Sequence, residues 1–370
     1  MARRGLFLLT VLGVFVAVWA VWSESAPSFR TGDGTEPIFP ALAGIDPEIS
    51  GLNVETRDYT LQLKKAGNNW TARSHADYPV RSAPAMSLVS ALAAMRPLEA
   101  KTRNETWYPI IGVEDRATPD SKSRLVTITG NERVLAEALV GKVSASLGAD
   151  LIGGTFVRKP GDVQSWLVTG VAEVPGSLQE WFEPLFNIPG PSLSRITITE
   201  GDEVLLAAVK PAPDASFQIE TVSPSLANEG RVLEQVLMRR IAGVLVSAQF
   251  NNVRPASGVA ALPNKRKVAF VTSDGLELTA EVSQLDTVPW VVFHASAPPQ
   301  SSSATLAAEI AGRTEGWAFQ LPQGEMLALL TKAEDLLMSE QSTAPQDAPG
   351  RIITDPAQLP FQQPGAPGGR

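Results

Sequence analysis

The chain has 370 residues, 44% of them apolar and 19% charged, the balance of a folded protein and not of a disordered one. Its net charge of −8 argues against nucleic acid and against docking on anionic lipid. Without cysteine there are no disulfides, thiolate metal sites, cysteine nucleophiles or lipid-modified thiols; with His75 and His294 as its histidines, a histidine-rich metal centre is excluded too.

Gly5 to Trp22 (GLFLLTVLGVFVAVWAVW) passes without a charge, directly after Arg3 and Arg4. As a helix, about eighteen residues span roughly 27 Å, close to the hydrocarbon thickness of a bilayer. Its Leu, Val and Phe side chains favour insertion by on the order of 3–6 kcal/mol. A signal peptide begins the same way, and Ser23-Glu24-Ser25 offers a cleavage site. The length of the run and Trp19 and Trp22 near its end favour an uncleaved transmembrane anchor over residues 5–22. The arginines then hold residues 1–4 in the cytoplasm and place the rest of the chain outside. Residues 23–45, rich in Gly and Pro, read as a spacer.

A first α+β module is expected over 46–193. Leu52–Thr56 and Tyr59–Lys64 alternate apolar and polar residues as strands do, and Gly67-Asn68-Asn69 turns into Trp70-Thr71-Ala72. A helix is predicted from about Pro84 to Met95, with Leu88, Leu92 and Met95 on one face and Pro97 ending it. Asn104–Ser123 reads as a loop. Arg124–Thr129, the turn Gly130-Asn131 and Val134–Val140 form a hairpin, and a second lies between Gly153 and Val168 around Pro160-Gly161-Asp162. Leu178–Phe186 reads as a short amphipathic helix.

The pattern restarts in a second module, 194–297. Arg195–Thr199 and Val204–Val209 match the first strands, Phe217 stands where Trp70 stood, and a helix is predicted from about Asn228 to Ala248. That helix would be capped by Asn228 and would carry Leu233, Leu237, Ile241 and Val244 on one face. Lys267–Thr272, the turn Ser273-Asp274-Gly275 and Leu276–Val282 repeat the first hairpin. Corresponding elements stand roughly 140 to 147 residues apart, the mark of an internal repeat. Residues 298–338 read as a C-terminal helix-strand-helix segment: Ala304–Arg313, Trp317–Leu321 and Gly324–Met338. Pro, Gln and Gly dominate 339–370, a composition that predicts a disordered tail. The expected fold is therefore α+β: a transmembrane helix followed by two similar modules of antiparallel sheet plus helix.

Motifs for chemistry are lacking: no nucleophile elbow, phosphate loop, dinucleotide fingerprint or zinc-protease helix occurs. Gly141-Lys142 reads as a strand end. The carboxylate pairs Glu114–Asp115 and Glu180–Glu183 could do acid-base work but read as solvated faces. His75 and His294 read as structural, and Trp70, Trp166, Trp181, Trp290 and Trp317 as core. Arg158 and Lys159 read as an exposed basic tip, and Asn69 and Asn104 fit the glycosylation pattern. No catalytic, cofactor-binding or metal residue is therefore assigned, and no cofactor is expected.

Several segments do carry a likeness: IFPAL (38–42), LQLKKAGNNW (61–70), YPV (78–80), LVSALAAMRPLEAKT (88–102), FVRKPGDVQSWLV (156–168) and RTEGWAFQLP (313–322). In these the chain resembles the bacterial domain-of-unknown-function family numbered four-three-four-zero, over most of 38–338. The family's loop of Tyr followed by Leu-Gly-Leu-Glu-Asp-Pro is altered here to Tyr108 and IGVEDR, with Arg116 in place of the proline. The resemblance implies an N-terminally anchored envelope protein whose partners are the subunits of a gliding-motility-type ABC transporter. It brings no catalytic residues. The expectation is a non-enzymatic, membrane-anchored accessory protein whose bulk is extracytoplasmic. An envelope hydrolase with an unidentified carboxylate site, or a glycan- or peptide-binding module, is the alternative.

Overall fold

A computed structural model describes residues 36–42, 48–131, 133–144, 153–226, 230–262 and 266–339. The expected anchor at 5–22, the spacer up to residue 35 and the tail from residue 340 lie outside these residues. Among the described residues no helix is long and apolar enough to cross a membrane.

The first module is built from Ile49–Glu55 (β1), Thr60–Ala66 (β2), Asn69–Ala72 (β3), Tyr78–Val80 (β4), the helix Ser82–Ala94 (α1), Pro97–Ala100 (β5), the one-turn helix Tyr108–Ile111 (α2), Arg124–Gly130 (β6), Arg133–Ser144 (β7), Gly154–Arg158 (β8) and Ser165–Thr169 (β9). Its nine strands form one antiparallel sheet in the order β4-β3-β2-β1-β6-β7-β8-β9-β5. Alternation decides which face is covered: Leu52, Val54, Leu61, Leu63, Val126 and Ile128 are buried, and Gln62 between two of them is exposed. Helix α1 begins two residues ahead of the expected Pro84, which sits in its first turn, where no N–H partner is needed. It buries Ala85, Leu88 and Leu92.

The second module comprises Leu193–Glu200 (β10), Glu203–Val209 (β11), Gln218–Val222 (β12), Arg231–Leu233 (β13), Gln235–Gly243 (α3), Asn252–Pro255 (β14), Ser257–Ala260 (α4), Arg266–Thr272 (β15), Glu277–Leu285 (β16), Val288–Ser296 (β17), Ala304–Thr314 (α5), Trp317–Gln320 (β18), Gln323–Leu329 (α6) and Leu337–Ser339 (β19). Its main sheet runs β12-β11-β10-β15-β16-β17-β18-β14, the first order again, element for element, without a counterpart of β4.

Register confirms the likeness. Leu52 lies between Leu63 and Ile128, and Ile196 between Ala208 and Phe270. A bulge interrupts β1 between Ile49 and Gly51 and β10 between Leu193 and Arg195. At each bulge a serine hydroxyl donates to the neighbouring strand: Ser50 to Thr129 O at 3.4 Å, Ser194 to Val271 O at 2.9 Å. Even the approach repeats. Ile38 N–H donates to Met95 O (3.0 Å) just past α1, and Leu185 N–H donates to Ala248 O (2.8 Å) past α3. Each of these straps buries a phenylalanine, Phe39 in one and Phe186 in the other.

Several expectations change. Residues 36–42 are not spacer, since Ile38, Phe39 and Leu42 join the core. Leu178–Phe186 is not an amphipathic helix: Leu178–Trp181 is a 3-10 turn, and the chain then extends so that Phe186 bridges to Ala248. The helix expected over 228–248 is confined to Gln235–Gly243, because Leu233 is pulled into β13, which pairs with β19. Its cap is the Glu234 carboxylate, accepting from Val236 N and Leu237 N at 3.1 and 2.7 Å, and not Asn228, which lies outside the described residues. Of the four expected face positions Ile241 and Val244 are fully buried, Leu233 is buried from β13 and Leu237 is only partly so, while Met238 and Leu245 are buried as well. The last predicted helix stops at Leu329, and Leu337–Ser339 is strand. Residues 298–338 are no separate segment, since α5 packs on β17 and β18 completes the second sheet.

The modules share one continuous core. Tyr78, on the edge strand β4, reaches into the second module: its ring meets Phe250 at 5.3 Å and Trp317 at 5.1 Å, and its hydroxyl donates to Arg313 O at 2.9 Å. Burial pushes the Tyr78 phenol up to about 12, with Arg313 opposing.

Candidate functional site

The carboxylate pairs of the sequence do not converge. Glu114 is buried, contrary to a solvated face; its Oε1 accepts from the backbone N–H groups of Lys122 and Ser123, while Oε2 has no partner among the described residues. Asp115 instead pairs with Arg158 at 2.6 Å. Glu180 closes a capping box with Ser177, and Glu183 pairs with Arg81 at 3.4 Å. Arg158 is no exposed tip. It is 2% exposed, donates from Nε to Val113 O and from Nη1 to Asp162 O, both at 2.9 Å, and lies over the Tyr108 ring.

Trp70, Trp181 and Trp290 are buried, and Trp166 and Trp317 pack partly buried against the core. Trp181 donates to the Tyr59 hydroxyl at 2.9 Å, and burial pushes that phenol up to about 12 against this hydrogen bond. Gly141 lies inside β7, where a Cβ would come within 2.2 Å of Ile111 O; only glycine lets the 108–113 turn sit so close. Lys142 donates to Ile110 O at 2.6 Å. The Asn104 side chain caps a 3-10 turn by accepting from Thr106 N. His294 is exposed on β17.

His75 is buried where the modules meet, 5.5 Å from the Phe182 ring, with Nδ1 3.0 Å from Ser74 Oγ. Desolvation lowers its pKa from the usual 6.5, against a contribution from the Asn251 backbone. The unfolded chain therefore takes up the proton first as pH falls. Stability linked to His75 is complete above about pH 6.5 and declines as pH drops from there through the folded-state pKa. Urea midpoints measured from pH 7.5 to 5.5 should fall more steeply for the native chain than for His75→Phe; parallel curves would remove His75 from this role.

What the sequence reading missed is an apolar surface. The WYPII stretch is a 3-10 turn followed by α2, and it splits its side chains between two faces. Tyr108 and Ile111 turn inward to Val113, Leu139 and Phe156. Trp107 and Ile110 turn outward and are 58% and 63% exposed. Together with Phe156, Ala100 and Lys101 they line an open cleft of about 290 Å³ beside β5, the edge strand of the sheet. The i, i+3 spacing of Trp107 and Ile110 was the available signal. In the second module the matching strand residue, Trp290, is covered by Val259 and Leu262 of the segment around α4. A second, larger cleft, about 510 Å³, opens beside α1 and holds Arg81, Arg124 and Glu173. No protein family, curated protein or solved structure matches the chain.

Proposed function

We propose that the chain is a membrane-anchored accessory protein of the cell envelope, its two modules held outside the cytoplasmic membrane to work with an ABC-type transporter. The anchor rests on the apolar run 5–22 behind Arg3 and Arg4, and the transporter on the resemblance carried by the segments from Ile38 to Pro322. One observation carries the choice of a partner-binding role: two large apolar side chains, Trp107 and Ile110, stand in water on one turn beside an edge strand. Exposed groups of this kind mark interaction surfaces, and tryptophan is among the strongest interface anchors.

The test is co-purification from detergent-solubilised membranes. Trp107→Ala combined with Ile110→Asp should release transporter subunits from the full-length chain and leave its unfolding midpoint unchanged, because both side chains are already hydrated. Retention of the same subunits at the same yield would defeat the proposal for this surface. Failure of the native chain to retain any transporter subunit would defeat the accessory role itself.

A further inference from the structure

Arg124 and Arg266 open equivalent strands, β6 and β15, which keep one register: Val126 faces Val54 of β1, and Val268 faces Ile198 of β10. Their guanidinium groups are treated differently. Arg266 is buried, donating from Nε to Leu329 O at 2.8 Å and from Nη2 to Thr331 O, while Nη1 pairs with Glu200 at 2.6 Å. Leu329 and Thr331 stand at the C-terminal end of α6, where a helix leaves its carbonyls without internal partners. Helix α6 packs along α3, the counterpart of α1.

Nothing like α6 follows the last strand of the first module's repeat, β9: residues 170–177 contain no helix. Arg124 is half-buried, and although its charge acts on the Tyr59 phenol its guanidinium makes no hydrogen bond or ion pair among the described residues. Above it opens the 510 Å³ cleft, walled by Ala83, Pro84 and Ser87 of α1 on one side and by Val174 on the other. The cleft thus lies beside the helix and over the arginine, the place that α6 occupies in the second module.

We propose that this cleft receives a short helical segment of a partner protein. Its carbonyl end would rest on Arg124 and its apolar side on Ala83, Pro84 and Val174, as α6 rests on Arg266 and α3. Charge supports this occupant: a guanidinium without a hydrogen-bond partner among the described residues suits the negative end of a helix, and Glu173 on the rim suits a cation earlier in the segment. The inference rests on the reading of the chain as a partner-binding protein and adds to it the chemistry of what is bound.

The probe is an amidated peptide of residues 321–337, the chain's own covering segment, titrated into the full-length protein and followed by calorimetry. One-to-one saturable binding is expected. Arg124→Ala should weaken it at least about tenfold, the usual effect of losing a hydrogen bond from a charged group. Ser87→Trp, which fills the cleft, should weaken it similarly, and Val134→Ala, exposed on β7 and outside both clefts, should leave it unchanged. Since the Arg124 side chain makes no hydrogen bond among the described residues, the unfolding midpoint of Arg124→Ala should match that of the native chain. No saturable binding, binding indifferent to both cleft substitutions, or a cross-link placing the chain's own residues 145–152 in the cleft overturns the proposal. Transporter association is read separately by co-purification: peptide binding without co-purifying subunits removes the accessory role and keeps the cleft, and the converse removes the cleft alone.

Discussion

Phe250→Ala should cost about 3–5 kcal/mol, the range for deleting a fully buried aromatic ring. Phe250 is buried, and its ring lies 4.7 Å from Phe182, 5.3 Å from Tyr78 and 5.2 Å from Phe319. Tyr78 comes from the edge strand of the first module and Phe319 from the second sheet, so one truncation loosens the joint between them. Urea unfolding should then lose midpoint and separate into two steps, one for each module. A loss under about 1 kcal/mol, with a single transition kept, would show that the shared aromatic cluster does not couple the modules.

Arg158→Ala should cost about 2–4 kcal/mol, chiefly because the carbonyls of Val113 and Asp162 lose a charged donor in a buried place. The ion pair adds little of this, since the Asp115 side chain is 59% exposed and its attraction is screened. Asp115→Ala should accordingly cost well under half as much. Arg158→Lys should not rescue, as a single ammonium cannot serve two carbonyls and a carboxylate in the geometry of a planar fork. Equal losses for Arg158→Ala and Asp115→Ala would show that the ion pair, not the backbone bracing, holds this loop.

The hairpins of both modules were legible because alternation and a turn are local signals: Arg124–Gly130 pairs with Arg133–Ser144, and Arg266–Thr272 with Glu277–Leu285, over short loops. Helix ends in the second module were not legible. Leu233 and Leu337 carry helical spacing, yet each is claimed by the other across a long stretch of chain, and a pairing of that kind leaves no local trace. The burial of Arg158 is hidden from the sequence for a similar reason. Beside Pro160-Gly161 it has the composition of a loop tip, and its burial depends on Val113 and Asp115, which arrive from elsewhere. Of the candidate surface the sequence showed Trp107 and Ile110 but not their exposure, which follows from Tyr108 taking the inward face of the same turn.

The straps alter where this protein can be cut. Dissection at the first strand of the second module, between residues 193 and 194, would leave Leu185, Phe186 and Ile188 on the wrong fragment. The second fragment would lose the side chains that close over Ala248 and Phe293, and the first would carry a sticky apolar end. The repeating unit begins upstream of its sheet, with the strap, so an autonomous second half has to start before Leu185. By the same logic, trimming the N-terminal side as far as β1 removes Ile38, Phe39 and Leu42, and a soluble fragment intended for crystallisation should retain them.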